Sequence, residues 1–363
     1  MLVYSLNSAI KTIEKQLLYI VYGDDLNYQI EVKLSILSVL RNTKKPCFTI
    51  RILTDRPDDY KGWPVEIIVI EAQTLNDWLG DTHYHYRRKL MGLLALLPYA
   101  ERTVFLDTDT VVQKDINALF AFSDKQILVD TIDGTWQERR YDALILKVSE
   151  YLLKTHLQYD LSIPLINSGV LGFVKDDVAI IQQAVDLLDE LWPVDHQCRV
   201  LEQFCLAICI NKQKDVIEHN IIYHYWSRKE FFQQMGRHYF EQYGYSYHPN
   251  FLETSKEIPE YIIRPTLLKR LCYRLKVRPF PKKQRSGILK LLYAIALGEE
   301  GYEGKQKIAY WQQAMNRGFL RYNPKAYEDF QSGLWPTDYK DIVSTPEQQG
   351  FLTFLREERL LKQ

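Results

Sequence analysis

Short apolar runs alternate with segments of helical spacing through most of the chain. LLYIVY (17–22) is an apolar run that stops at Gly23-Asp24-Asp25. Residues 28–41 follow, with Ile30, Leu34, Leu37 and Val39-Leu40 near one helical face. FTIRILT (48–54), VEIIVI (65–70) and TVFL (103–106) predict three further buried strands, and HYRRKLMGLLALL (85–97) predicts a helix stopped before Pro98. QILVD (126–130) and PLINSGVLGF (164–173) continue the strands, 178–192 and 198–210 the helices, and VIEHNIIYHYW (216–226) reads as a last strand. Strands alternating with helices predict an α/β fold with a Rossmann-like, mostly parallel sheet flanked by helices. Such sheets bind ligands at the carboxyl ends of their strands. Three of the predicted strands end in acidic groups there: Asp24-Asp25, Asp55, and Asp107 with Asp109.

The pattern changes after about residue 256. Between Arg264 and Arg285 there are nine cations and no acid in 22 residues. TLLKRLCYRLKV (266–277) sets Leu267, Leu268, Leu271 and Leu275 near one helical face and Lys269, Arg270, Arg274 and Lys276 largely away from it. A basic amphipathic helix of this kind predicts either peripheral contact with an anionic membrane through 264–285 or a solvated helix packed on the rest of the chain. Helices are predicted at 287–297, near 303–316, and from 346, the last with Thr345 as cap, Pro346 in the first turn and Gln348 three after the cap. The expected organisation is a catalytic domain over 1–256 and a basic, mainly helical C-terminal extension over 257–363.

The 363 residues are 46% apolar, enough for a substantial core, and carry 46 basic and 46 acidic side chains, so bulk charge gives no argument for nucleic acid. The five cysteines form no CxxC pair, which predicts neither a disulfide framework nor a zinc site and fits a reducing compartment. The first residues lack a basic-then-apolar leader and no apolar run approaches a membrane span, so a cytoplasmic location, possible on the inner face of a membrane, is expected.

Asp107 and Asp109, two apart after a buried strand, would share one face if strand geometry continued. Two unpaired anions repel, and a hard divalent cation resolves the repulsion by binding one or two carboxylates plus substrate phosphates. The bland alternative is a solvated turn whose aspartates cap backbone amides. The wider context selects between them. TVFLDTDTVV resembles the DxD segment of GT-A fold glycosyltransferases, especially family eight. IVYGDDLNYQIEVKLSILSVLRN resembles that family's first strand, nucleotide loop and first helix, and RRKLMGLLALLPYAERTVFLDTDTVV its basic helix leading into the DxD strand. LINSGVLGF, LEQFCLA and the late His224 complete the likeness, in order, across residues 17–226. Glu202 stands where the family more often has Asp. The run after His224 lacks the family's glycine and proline, leaving Arg228 or Lys229 to stand in for its phosphate-side lysine.

The resemblance implies a metal-dependent transfer of a sugar from a nucleotide-diphosphate donor, a UDP-sugar in the family, to a glycan or lipid-linked acceptor with retention of configuration. It implies Mn2+ or Mg2+ held by Asp107, Asp109 and His224. Tyr22, Asp24, Asp25, Asn27, Tyr28 and Asp55 would border the nucleotide, with Arg88, Lys89, Thr108 and Lys229 near the diphosphate or donor sugar. Asn167, Glu202, Gln203 and Asp130 would line the sugar and acceptor pocket. Two other readings stay open. VFLDTDTVV also matches haloacid-dehalogenase-like phosphohydrolases, with Asp107 as nucleophile and Asp176-Asp177 as the late acidic pair. A module that binds sugar nucleotide or glycan without turnover would share the same donor contacts.

Overall fold

The computed structural model describes residues 10–139, 143–155, 162–194, 196, 198, 200–211, 213–333 and 345–360. Among the described residues there are nine strands: β1 (Ile13–Ile20), β2 (Thr49–Thr54), β3 (Glu66–Val69), β4 (Ala100–Leu106), β5 (Thr110–Val112), β6 (Gln126–Thr135), β7 (Pro164–Val174), β8 (Asp215–Ile217) and β9 (Ile222–His224). The helices are α1 (Leu26–Asn42), α2 (Ala72–Asp77), α3 (Arg87–Leu96), α4 (Ala143–Lys154), α5 (Val178–Leu191), α6 (Leu201–Asn211), α7 (Lys229–Tyr243), the single turn α8 (Phe251–Thr254), α9 (Leu267–Lys276), α10 (Lys282–Ile295), α11 (Gly301–Gln313), α12 (Ala326–Gln331) and α13 (Thr345–Leu360). The side chain of Thr345, the expected cap, lies outside the described residues.

Seven strands form one sheet in the order β3-β2-β1-β4-β7-β6-β8. β7 alone runs against the other six, because it is antiparallel to both β4 and β6 while the remaining pairs are parallel. The expected α/β sheet, mostly parallel and flanked by helices, is therefore present. Alternation along β1 assigns its faces. Leu18 joins Leu53, Phe105, Val129 and Phe173 in a core with Leu90, Leu93, Leu188 and Leu206 of α3, α5 and α6. Tyr19 points the other way, and its hydroxyl meets Ser35 of α1 at 2.8 Å.

Helix α1 is buried continuously from Gln29 to Val39, polar positions included. Each polar side chain is matched. Gln29 accepts from the Tyr60 hydroxyl. Glu31 accepts from Thr108. Lys33 donates to the Tyr245 carbonyl and sits over the rings of Tyr60, Trp63 and Tyr245 at 5.6–5.7 Å. Buried polar groups persist only with such partners.

The predicted strand over 216–226 is instead two short ones. β8 extends the large sheet beside β6, while β9 pairs with β5 in a separate two-stranded ribbon. The Glu218 carboxylate, in the break, accepts from the Ile132 amide at 2.6 Å.

By contacts the chain divides into two compact units, residues 1–225 with 245–252 and residues 226–244 with 253–363. The first holds the sheet. The second is helical around a core of Val277, Phe280, Ile288, Leu291, Leu292, Met315, Phe319, Phe330 and Phe351. The predicted helix over 303–316 is α11 followed by a π turn, Ala314–Phe319. A Cβ on Gly318 would lie 2.5 Å from the Cα of Gly287, so these two backbones touch. No described helix is long and apolar enough to cross a membrane.

Candidate functional site

The acidic triplet begins where β4 ends. The Asp107 amide donates to the Gly169 carbonyl of β7 at 2.8 Å, and the Thr108 hydroxyl donates to buried Glu31 at 2.9 Å. The chain then leaves the sheet as β5 and is fixed on α1 by hydroxyls. Ser35 bridges Tyr19 and Thr110 at 2.8 Å on each side, and Ser38 accepts from the Val112 amide. Because Thr110 of β5 pairs with His224 of β9, the late histidine comes to lie beside the triplet, and the Tyr225 amide donates to the Asp109 carbonyl at 3.0 Å.

Ligating atoms of Asp107, Asp109 and His224 all lie within 4.8 Å of one another. His224 Nε2 is 3.4 Å from Asp109 Oδ1, while Nδ1 is 2.7 Å from Asp130 Oδ2. A proton on Nδ1 shared with Asp130 leaves the Nε2 lone pair facing Asp109, the arrangement that orients a metal-binding histidine. The ring is held tightly from above: a Cβ on Gly169 would stand 2.2 Å from its Cε1 and Nδ1. Asp130 reaches the histidine because the β6–β7 register is irregular between Val129 and Thr131, and such an irregularity re-aims side chains.

Burial draws the His224 pKa down, but hydrogen bonds to Asp109 and Asp130 and the charges of Asp109 and Asp107 outweigh it and hold the imidazole at about 10. On the other side, Lys89 Nζ is 2.9 Å from Asp107 Oδ1 and also donates to the Ser168 carbonyl (2.6 Å) and hydroxyl (3.0 Å). Behind it, buried Glu202 accepts from Tyr84 at 2.6 Å and Ser168 at 3.3 Å. Burial raises the Glu202 pKa against the opposing pull of Lys89. Asp107, Asp109, Asp130 and Glu202 are thus gathered around Lys89 and His224, with His219 behind Asp130. Two oxygen ligands, an imidazole nitrogen and an excess of acid fit a divalent cation of the Mn2+ or Mg2+ kind.

The remaining sequence candidates fall into groups. Asp55 accepts from the Gly23 amide at 3.0 and 3.3 Å, so it ties the end of β2 to the loop after β1. Asp25 caps α1 by accepting from the Asn27 amide at 2.8 Å. Asp24 and Tyr28 are exposed beside it. Of the basic pair on α3, Lys89 reaches Asp107. Arg88 donates to the Leu75 carbonyl and stacks over the Tyr22 ring at 4.9 Å. Asn167 accepts from the Gly169 amide at 2.9 Å and is half-buried, as is Gln203 on α6. Lys229 opens α7 in the second unit. Asp176 and Asp177 follow the carboxyl end of β7, whose Val174 pairs with Arg102 near the start of β4, so they stand at the opposite end of the sheet from Asp107. Asp177 there caps the Val174 amide and pairs with Lys214, which leaves the phosphohydrolase reading without its late acidic pair.

Sequence reasoning did not single out Glu31, Tyr84, Ser168, Gly169 or His219. Glu31 and Tyr84 carried no signal beyond being polar in apolar surroundings. Ser168 and Gly169 were visible inside the Asn-Ser-Gly interruption of an apolar strand. His219, 3.6 Å from Asp130 through Nε2, lies in the turn that replaced the expected continuous strand.

No family model and no curated protein matches this sequence. Among solved structures the chain is similar to a galactosyltransferase, LgtC, in complex with donor and acceptor sugar analogs, at 12% identity over 56% of this chain and 73% of that one, with a TM-score of 0.40. It is also similar to mouse xyloside xylosyltransferase 1 in its apo form, at 13% identity over 54% of this chain and 80% of that one, TM-score 0.37. A third is the glycosyltransferase GlyE of Streptococcus pneumoniae TIGR4, at 12% identity over 68% of this chain and 52% of that one, TM-score 0.34. Each superposition is partial, and what this chain can bind is decided by its own side chains.

Proposed function

We propose that this chain is a metal-dependent glycosyltransferase that moves a sugar from a nucleotide-diphosphate donor, a UDP-sugar by resemblance, to a glycan or lipid-linked acceptor with retention. The observation that carries the reading is the convergence of Asp107, Asp109 and His224 at the carboxyl ends of the strands, with Lys89 against Asp107. Asp107, Asp109 and His224 would hold Mn2+ or Mg2+. When bound, the cation would neutralise charge developing on the departing diphosphate.

The chain's own groups then have distinct parts. Asp130 holds the His224 ring in one orientation. Lys89, held against Asp107, offers a second positive charge to a leaving diphosphate. Glu202 braces Tyr84 and Ser168, and through Ser168 the position of Lys89. Asn167 and Gln203 are the polar groups assigned to the sugar side. Asp55, by fixing Gly23, shapes the loop from Tyr22 to Asn27 against which a base would lie, with exposed Tyr28 as the stacking surface.

The test is a thermal-shift screen of nucleotide-sugars with and without Mn2+, followed by detection of free nucleoside diphosphate with an acceptor panel. A donor at a hundredfold excess over its Kd should stabilise the first unit by about 2.7 kcal/mol. That shift should require Mn2+ and vanish in Asp107→Asn/Asp109→Asn. Metal-independent stabilisation would reject the reading. Donor binding with no turnover on any acceptor would leave a binding module in its place.

A further inference from the structure

We propose that α9 is a docking helix for an anionic lipid bilayer. An ordinary surface helix turns its apolar stripe toward its own core, and α9 does the reverse. Tyr273 and Val277 are the positions that pack against the helical core of the second unit. Leu267, Leu268, Leu271 and Leu275 fall within an arc of about 100° on the far side. They are 62%, 76%, 48% and 56% exposed. No residue of α9 itself is buried. Water is a poor solvent for four leucines held side by side on one rigid helix.

The charges around the stripe say what covers it. Arg264, Lys269, Arg274, Lys276, Arg278, Lys282 and Lys283 are all exposed, and no acid occurs from 264 to 285. Lys282 and Lys283 open α10, whose first turn contains no acidic residue. A helix N-terminus carries a partial positive charge, so cations there work against the helix dipole and serve the fold poorly. An apolar stripe framed by cations matches a surface with a hydrocarbon interior beneath anionic headgroups. A nucleic acid would satisfy the cations and leave the leucines in water. A bilayer satisfies both, and would hold the chain where a membrane-presented acceptor is found.

The test uses the full chain without metal or donor, so its outcome is independent of the sugar-transfer reading. The protein is co-sedimented with vesicles of phosphatidylglycerol in phosphatidylcholine and with vesicles of phosphatidylcholine alone, at low and high salt. Binding is expected only to the anionic vesicles and should weaken with salt. Lys269→Gln/Arg274→Gln/Lys276→Gln should weaken it by about a hundredfold, at roughly fivefold per cation. Leu268→Ser/Leu271→Ser/Leu275→Ser, which keeps every charge, should weaken it at least about tenfold. These side chains are exposed, so thermal unfolding should be unchanged in both variants. A solvatochromic dye on Cys272, also exposed, in a Cys47→Ser chain should shift to the blue on the anionic vesicles. No binding at low salt would overturn the proposal. So would binding indifferent to the leucine substitutions, or lipid-free self-association abolished by them, which would assign the stripe to a second copy of the chain.

Discussion

Replacing Gly169 by alanine tests the candidate metal centre at one atom. The added Cβ would sit 2.2 Å from His224 Cε1 and Nδ1 and 2.9 Å from Nε2. Carbon atoms in contact settle near 3.5–4.0 Å, so the ring must retreat by more than about 1 Å or β7 must shift. Neither is free. The ring is held by Asp130 and Asp109, and the Gly169 carbonyl receives the Asp107 amide. Overpacking of this kind costs about 1–3 kcal/mol. A metal–ligand distance tolerates only about 0.2 Å, so a ring displaced by 1 Å no longer serves as a ligand. Disturbing a ligand's orientation alone weakens metal binding about 10–100-fold, and Gly169→Ala should do at least that. The assay is a Mn2+ titration followed by the electron paramagnetic resonance signal of the free ion, beside thermal unfolding. Gly172→Ala is the control. Gly172 is on the same strand as Gly169, but its Cβ would meet Leu128 Cβ of β6 at 2.7 Å and Phe122 Cε1 at 2.8 Å and not the histidine. It should lose stability and keep its Mn2+ affinity. Wild-type Mn2+ affinity in Gly169→Ala, with the fold intact, would falsify the assignment of His224 as a ligand.

Asp130→Asn should weaken Mn2+ about 10–100-fold, because it removes the anion that orients the imidazole, and should lower the stability of the metal-free protein, because that anion helps to hold His224 protonated; an unchanged titration curve would make Asp130 a bystander. His224 binds a cation only after losing its proton, and its pKa stands at about 10, so Mn2+ affinity should rise with pH through the neutral range, by up to about tenfold per unit, and calorimetry in buffers of different ionisation enthalpy should detect a released proton. Without metal the trend in stability is opposite. The folded pKa of His224 is above its ordinary value of 6.5, so its stabilisation is complete below that value and is lost as pH climbs toward 10; denaturant midpoints of the metal-free protein across this window check the sign. Tyr84→Phe strips a donor from buried Glu202 and should cost about 1–3 kcal/mol in urea unfolding; a neutral result would mean that Glu202 is already protonated or otherwise satisfied.

Strands β1 to β4, β6 and β7 and helices α1, α3, α5, α6, α9, α10, α11 and α13 were legible because each buried strand is a short apolar run and each of these helices carries its own spacing, whereas β5, α2, α4, α7 and α12 were not singled out. The acids at three strand ends were legible for the same reason, since a strand's end is marked by where its apolar run stops. What the acids do there was decided by partners far along the chain. Asp55 and Asp25 look alike to Asp107 in sequence, yet one fastens the Gly23 amide and the other caps α1. Lys89 and Arg88 are neighbours on one helix, but a helix turns by about 100° per residue, and only Lys89 points at Asp107. The late histidine was recognisable as a residue, while its route to the site was not. A break at Glu218–Ile221 sends β8 to the large sheet and β9 to the ribbon with β5, and periodicity over so short an apolar run does not distinguish one strand from two. The reversed direction of β7 brings Asn167, Ser168 and Gly169 to the carboxyl end of β4 and carries Asp176 and Asp177 to the other. Local sequence sets which segments become strands and helices, because that depends on neighbours a few residues apart. Strand direction, register and the meeting of Asp107, Asp109, Asp130 and His224 depend on pairings between residues as many as 117 positions apart, from Asp107 to His224, and only the tertiary structure fixes those.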